Sequence, residues 1–472
     1  MLGKGERKAD SSVQQNSVLK YARMCEFQKP QKDLIVLFIG MIAFKIASDA
    51  GYFWLTTQDS LHFRINFSPL KYVFGLLCCI VMFFFIRHDQ RKASTFFLYF
   101  VFLFQMVPIT SVYAFANEST IFYSVLCVSY LLCILVAGYT TDASKVYRNP
   151  IVSKTMMLGC GAIMLMIVAV IVLRYGAPSL AALNIYDVYE LRSSGAFTLG
   201  RYENYLFTWT TAVILPVGIA WCITKRKFIL MGILSGIMLM LYLYSGNKTF
   251  LFSIPLVIVC TFWSRRERFY NELFMLGCFG YLLLVILLWF FPVLQDVIQR
   301  VFSLLARRVM FVPANNKFLY FDYFSNHPLM GLGGIFPRWL IYIPNYYESI
   351  PYSYEISAIY YNQPEMNSNT GFLAEGYMRF GHMGTVLILL LFAFILKQID
   401  RFQDRSGYQL AIGIFVYQIY SLSDAHLLDS LVLGPWMLLV LILLFCGSSS
   451  RQQQNNRLQI KQVRLFKHYE RH

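Results

Sequence analysis

The 472-residue chain has no Walker A loop, no Gly-x-Gly-x-x-Gly before a strand, no His-Glu-x-x-His and no Asp-x-Asp. These absences exclude the common phosphate cradles and the zinc-peptidase helix. They also exclude the acidic pair with which many nucleotide-sugar transferases hold a metal on the cytoplasmic side. No metal and no cofactor is therefore expected. The ten cysteines all fall in apolar runs or in the N-terminal tail, and none in a long polar loop, so no disulfide is expected. No basic patch interleaved with stacking aromatics projects into a soluble domain, which argues against nucleic acid as a partner. The first 33 residues are polar and the first apolar run has full span length, so no cleavable leader is expected.

Apolar sequence is abundant instead. Hydrophobic residues make up 57% of the chain. They come in blocks of about 20, the length that matches a hydrocarbon core of about 30 Å. The fold class this predicts is all-α, a polytopic transmembrane helix bundle of about 12 spans. The runs cover 34–55, 71–87, 94–115, 119–139, 155–174, 204–224, 228–245, 249–263, 271–292, 372–396, 408–422 and 430–446. Only Ser245-Gly246-Asn247-Lys248 separates the seventh run from the eighth, which predicts a tight hairpin. Residues 1–33 and 447–472 form tails around a membrane domain at 34–446.

The net charge of +16 orients this bundle. With the N-terminus inside, five short cytoplasmic loops each carry three Lys or Arg, the N-terminal tail seven and the basic C-terminal tail six. That places 28 basic residues inside and ten in the loops outside, so both termini are expected to be cytoplasmic. The excess faces anionic headgroups of the lipid bilayer, the first partner the sequence implies.

Two outer loops are long, 175–203 and 293–371. Loops of that size are seldom idle. In the first, Ser179 can cap a short helix with Leu180, Leu183, Val188 and Leu191 on one side. Arg192 and Arg201 flank its glycine-containing turn, as solvated surface charges or as a grip on an anion. The second opens with an amphipathic helix over Leu294–Phe311. Its Arg307 and Arg308 either snorkel to headgroups or bind a diphosphate, for which the arginine fork is suited. Nine tyrosines then lie between Tyr320 and Tyr361, among them Tyr323, together with Trp339. Aromatic faces pack on sugar rings, and Tyr and Asn side chains, Asn369 included, can bond sugar hydroxyls. The alternative is a lid with interfacial aromatics. Pro328, Gly331, Gly333 and Gly334 predict turns.

Several charges fall within or beside the runs. Lys45 and Asp49 are four apart and can pair on one helix face. Lys248 sits at the hairpin tip, as a phosphate ligand or a surface anchor. Asp424, His426 and Asp429 cluster in one short turn, but no metal-ligand geometry is evident and helix-end solvation accounts for them. In NSNTGFLAEGYMRFGHMG, Asn367 to Gly384, Glu375 and Arg379 are spaced as an i,i+4 pair, and Asn369 or Thr370 can cap the helix. Glycines 371, 376, 381 and 384 allow close helix contact or close approach of a ligand. With no cytoplasmic domain able to hold a nucleotide, a transferase built this way needs a donor already activated outside, such as a polyprenyl diphosphate.

TGFLAEGYMRFGHMG, ARRVMFVP, YFDYFSNHPLMGLGG and SGNKTFLF, with the long loop before the tenth span, resemble the bacterial oligosaccharide repeat-unit polymerases, the Wzy-type O-antigen and capsule polymerases. Members commonly carry Glu-x-Tyr-x-x-Phe-Gly-x-x-Gly, which matches Glu375, Tyr377, Phe380, Gly381 and Gly384. Many carry an arginine in the hairpin where this chain has Asn247-Lys248. The resemblance implies a glycosyltransferase at the outer face of the bacterial inner membrane. Its partners would be an undecaprenyl-diphosphate-linked donor and acceptor, with a chain-length regulator and a flippase as further candidates. A single displacement would invert the anomeric centre. On that reading Arg192, Arg201, Arg307, Arg308, Lys248 and Arg379 bind diphosphate, and Tyr320, Tyr323, Trp339 and Asn369 bind sugar. Glu375 or His327 is then the catalytic base. An O-antigen ligase and a lipid-linked oligosaccharide flippase are the rival functions.

Overall fold

The computed structural model describes residues 34–58, 63–87, 91–138, 154–178, 197–291, 295–337, 339, 341–348, 351–432 and 434–442. Helices dominate, and no strand occurs among the described residues. Among the described residues, eight helices are long and apolar enough to cross a membrane: α1 (Leu34–Thr56), α3 (Ala93–Phe115), α4 (Thr120–Gly138), α5 (most of Lys154–Tyr175), α6 (Arg201–Thr224), α7 (Phe228–Ser245), α9 (Phe269–Phe290) and α13 (Phe372–Ser406). The chain is thus an all-α membrane protein.

Three other expected spans are shorter. They are α2 (Pro69–Phe85, 17 residues), α8 (Lys248–Trp263, 16 residues) and α14 (Tyr408–Ser421, 14 residues). At 1.5 Å per residue they reach roughly 21–26 Å, short of a hydrocarbon core of about 30 Å. The expected twelfth run is described only to residue 442 and is helical over 435–442. The remaining helices are α10 (Gln295–Phe302), α11 (Val312–Asn326), α12 (Tyr352–Tyr361) and α15 (Leu427–Leu431). The expected amphipathic helix therefore exists as α10 and a wider π segment, Ser303–Phe311, that leads into α11. The 245–248 hairpin forms as expected: Gly246 closes α7 at φ +61°, and Asn247 caps α8 by accepting from the Thr249 amide.

Three π segments share one cause. Phe102–Met106, Thr210–Ile214 and Ser303–Phe311 each end two residues before a proline, at Pro108, Pro216 and Pro313. A proline within a helix cannot bond the carbonyl four residues back, and its ring crowds that carbonyl. In all three cases this carbonyl lies inside the π segment, where the wider turn relieves the crowding. The carbonyl freed by Pro216, that of Ala212, is taken by the Gln418 side chain of α14. The proline thus creates the acceptor that ties α6 to α14.

By contacts the chain divides into two compact units. The first comprises α1, α2, most of α3, α9, α10 and the π segment up to Phe311. Lys45 and Asp49 pair in it, as their spacing predicts. Ser111 donates to Asp49 at 2.8 Å and Tyr72 at 3.0 Å, so the buried carboxylate has three donors. Tyr281 and Trp54 rings pack on Phe302, and Tyr52 on Phe311.

The second unit holds residues 92–98, 118–267 and 312–472. The free amides that begin α3 are closed by α13: Asp400 accepts from the Ser94 amide at 2.9 Å, and Gln403 from the Ala93 amide at 2.7 Å. Phe321 of α11 stacks on Phe122 of α4, and Phe318 meets the same ring edge-on. Lys317 is fully buried on α11 and donates to the Pro313 carbonyl at 3.0 Å. Burial pushes its ammonium down to about 8, against the attraction of Asp424. Between about 8 and the ordinary 10.5 the unfolded chain keeps a proton that the folded one has lost, so stability rises with pH there. Melting temperature should therefore climb between pH 8 and 10 in the wild type. Lys317→Met should flatten that slope; an unchanged slope would contradict the assignment.

Candidate functional site

The stretch expected to enter the membrane as one span is broken. Phe380 (φ −136°, ψ 20°) and Gly381 (φ +64°, ψ −152°) leave the helical region and divide α13 into a short arm, Phe372–Arg379, and a long arm. The arms fold against each other: a Cβ built on Gly384 would lie 2.0 Å from the Gly376 carbonyl oxygen, and one on Gly376 would lie 2.5 Å from that of Gly384. Gly371 is as tightly placed, against the Ser423 and Leu422 carbonyls. Gly371 is also the N-cap, so the capping role expected of Asn369 or Thr370 falls to a residue without a side chain. The amide of Phe372 donates to the Leu422 carbonyl at 3.2 Å. At the other end the Met378 and Arg379 carbonyls accept from the Met330 and Gly331 amides, both at 3.0 Å. All eight residues of the short arm are buried.

Glu375 and Arg379 pair as their spacing predicts, with Arg379 Nε 3.2 Å from Glu375 Oε1. The rest of the network is contributed from far along the chain. Arg379 Nη1 donates to the carbonyls of Gly331 (3.2 Å) and Gly333 (2.9 Å), and Nη2 to Asp429 Oδ1 at 2.6 Å. Four of the five guanidinium hydrogens are thus committed to protein groups. Arg379, expected to bind diphosphate, has no free fork to offer one.

Glu375 is equally occupied. It has no exposed surface, and beyond Arg379 its Oε2 accepts from the Leu427 amide at 2.6 Å. The Leu428 amide donates to the same carboxylate at 3.2 Å and 3.3 Å. Glu375 therefore neutralises the start of α15 and braces Arg379. The expectation that it is the base gives way to this structural role.

Asp429 connects this core to the surface. Its Oδ2 lies 2.9 Å from His426 Nδ1, and its side chain is 40% exposed. Burial tends to raise the Asp429 carboxyl, but the His426 hydrogen bond and charge and the Arg379 guanidinium outweigh it and hold it below the usual carboxylate range. Glu375, His426 and Asp429 offer ligand atoms within 4.8 Å of one another, the arrangement of a cation site. The Arg379 guanidinium, bonded to both carboxylates, supplies that positive charge itself.

Arg379 and Asp429 line a cavity of about 240 Å³. Met330, Phe336, Ile341 and Ile343 give it apolar walls, and Asn345, Tyr347, Glu348 and Tyr352 polar ones. Burial, then the Asp429 charge, push the Tyr352 phenol above its ordinary 10.0, so it stays a neutral donor. A few convergent polar groups over apolar surface are what a small polar ring with one hydrophobic face requires. The volume lies below the roughly 300–1,000 Å³ of drug-sized sites, so it suits one ring rather than an oligosaccharide.

The other expected site residues fall in several places. Tyr320 and Tyr323 are 1% exposed, with hydroxyls donating to the Ser368 carbonyl at 2.8 Å and to Glu355 at 2.6 Å. They are packing groups, which corrects their assignment to sugar. Trp339 (54% exposed) and Asn369 are at the surface. His327 stacks on Tyr323, 4.0 Å between centroids, and its Nδ1 donates to the Tyr323 carbonyl at 2.8 Å. Arg201 is exposed at the start of α6, and Lys248 begins α8. Arg307 and Arg308 lie in the π segment of the first unit, and Arg192 is outside the described residues.

His426 and Asp429, read from the sequence as solvated helix-end residues, are the participants whose place in this network was missed. A signal for them existed: a buried arginine with one carboxylate in helical reach still has donors to satisfy, and Asp429 was among the few acids available. Comparison with protein-family models, curated proteins and solved structures finds no match to this chain.

Proposed function

We propose that the protein polymerises undecaprenyl-diphosphate-linked oligosaccharide repeat units into a surface polysaccharide, O-antigen or capsule, at the outer face of the bacterial inner membrane. On this reading the chain crosses the membrane twelve times, with both termini cytoplasmic, and α2, α8 and α14 cross as short helices. A growing chain leaves its lipid diphosphate as a hydroxyl of the next lipid-linked unit attacks. Arg307, Arg308, Arg201, Arg192 and Lys248 are the cations offered to the diphosphates, and Trp339 and Asn369 surfaces offered to sugar.

One observation carries the reading. The buried Glu375–Arg379 pair, joined to the half-exposed Asp429, opens onto a cavity sized for one sugar ring, within the folded 312–432 region of a helical membrane protein. Fixed charges in a water-poor setting favour a reaction in which charge develops on a leaving group.

The test is gel analysis of surface glycan from a strain lacking the gene. Capping by single repeat units, restored to a ladder by the wild-type gene, is the expected result. Long lipid-linked polymer would indicate a ligase instead, and substrate held on the inner leaflet a flippase.

A further inference from the structure

The charge around the cavity is one-sided. Glu348 and Asp429 bring two carboxylates to its lining, and among the described lining residues Arg379 is the one cation. That guanidinium is already shared between Glu375 and Asp429. One positive charge against these three carboxylates leaves the site negative by two. Even a protonated His426 beside Asp429 would leave it negative by one.

Both lining carboxylates can take a hydrogen from a ligand. Asp429 Oδ1 accepts from Arg379 and Oδ2 meets His426, so each oxygen keeps a further lone pair. Glu348 stands at an exposed position. The Tyr342 hydroxyl reaches it at 3.3 Å and the Asn345 amide at 3.4 Å, both long contacts. The donors beside them are weaker partners. Asn345 and Tyr352 are neutral, and Arg379 has one hydrogen left after its four bonds. Hydrogen bonds to an ionised group are the strong ones, so the strong bonds here are those a ligand donates. The apolar wall, Met330, Phe336, Ile341 and Ile343, suits the C–H face of the same ring.

We propose that the cavity is a subsite for a neutral or amino-bearing sugar ring, and that Glu348 sets its selectivity against acidic sugars. This rests on the polymerase reading above and names the class of ring its sugar site accepts. Hydroxyls or an ammonium group donate to Glu348 and Asp429. A uronate would bring a further negative charge to the same wall. The two carboxylates therefore repel as well as attract, which is what discrimination among rings of one size needs. The same repulsion keeps a diphosphate out, so the leaving group binds outside this cavity.

The experiment is a ligand-observed NMR titration of the purified full-length protein, in a detergent without a sugar headgroup. The probes are the methyl glycosides of glucose, galactose and mannose, each with its 2-amino and its uronic acid form. In at least one series the 2-amino form should bind about tenfold or more tighter than the uronic acid form, the worth of a hydrogen bond to a charged group. Glu348→Gln keeps the shape and removes the charge, and should shrink that gap by about threefold or more. Glu348→Lys should reverse the order, which also places the ligand in this cavity. If Glu348→Lys does not fold, Glu348→Gln carries the test. Equal affinity for the two forms, no binding of any of the nine compounds, or a gap that Glu348→Gln leaves untouched overturns the proposal. Selective binding by a protein that builds no ladder from undecaprenyl-diphosphate-linked units keeps the ring site and removes the polymerase reading. A ladder from a protein without the selectivity removes only this proposal.

Discussion

Arg379→Met is expected to destabilise the protein by about 3–5 kcal/mol, the range for breaking a buried ion pair from one side. The cause is what the guanidinium leaves behind. Glu375 has no exposed surface, so its carboxylate would remain buried with only the Leu427 and Leu428 amides to offset it. The Gly331 and Gly333 carbonyls would lose their donor together with Asp429. Arg379→Lys should fail as well, because a single ammonium cannot reach two carboxylates and two carbonyls in different directions. Adding Glu375→Gln to Arg379→Met should recover part of the loss, since no bare buried charge then remains. Thermal unfolding of the wild type and the three purified variants, followed by tryptophan fluorescence in detergent, checks this. An Arg379→Met protein that melts with the wild type would show that the network does not hold the short arm.

Gly384→Ala and Gly376→Ala are expected to prevent the two arms of α13 from closing. Each new methyl would sit 2.0–2.5 Å from a backbone carbonyl oxygen, and neither arm can rotate away as a side chain could. The penalty should reach or exceed the upper end of the roughly 1–3 kcal/mol usual for overpacking. Gly381→Ala should cost about 1–3 kcal/mol for a different reason, its φ of +64° with ψ of −152°. Gly277→Ala and Gly280→Ala are the controls, because nothing lies within 4 Å of either added methyl. Yield of monodisperse protein and melting temperature should drop for the first two and hold for the controls. Full yield from Gly384→Ala would mean that the arms do not pack as described.

These expectations show where the sequence was legible. Apolar run length located the long helices, because a single local quantity sets it. The 245–248 hairpin was legible for the same reason: Gly and Asn-Lys-Thr carry their own cap chemistry. The Glu375–Arg379 pair was legible from i,i+4 spacing. The kink between them and the long arm was not. Nothing local marks Phe380 and Gly381 as the break, since the glycines at 371, 376, 381 and 384 are equally compatible with helix packing. Only the contact between Gly376 and Gly384 shows that the chain reverses there. The burial of Tyr320 and Tyr323 was hidden for a similar reason, since their partners Ser368 and Glu355 are 48 and 32 residues away. Asp429 reaches Arg379 across 50 residues, a pairing that no local pattern encodes.

The site accordingly rests on tertiary placement rather than on motif. The stretch LAEGYMRFG supplies two charges and a turn, and SDAHLLD supplies a carboxylate and an imidazole. Folding joins them at the edge of one small cavity. Each glycine that permits the reversal therefore also bears on the cavity, because it sets where Arg379, and through it Asp429 and His426, are held.

The most direct measurement is the conversion of single undecaprenyl-diphosphate-linked repeat units by the purified protein, with the product linkage read by NMR. The account predicts a ladder of lengthened lipid-linked chains whose new inter-repeat bond has the anomeric configuration opposite to that of the donor. Absence of a ladder, or a new bond with the donor's configuration retained, would contradict it.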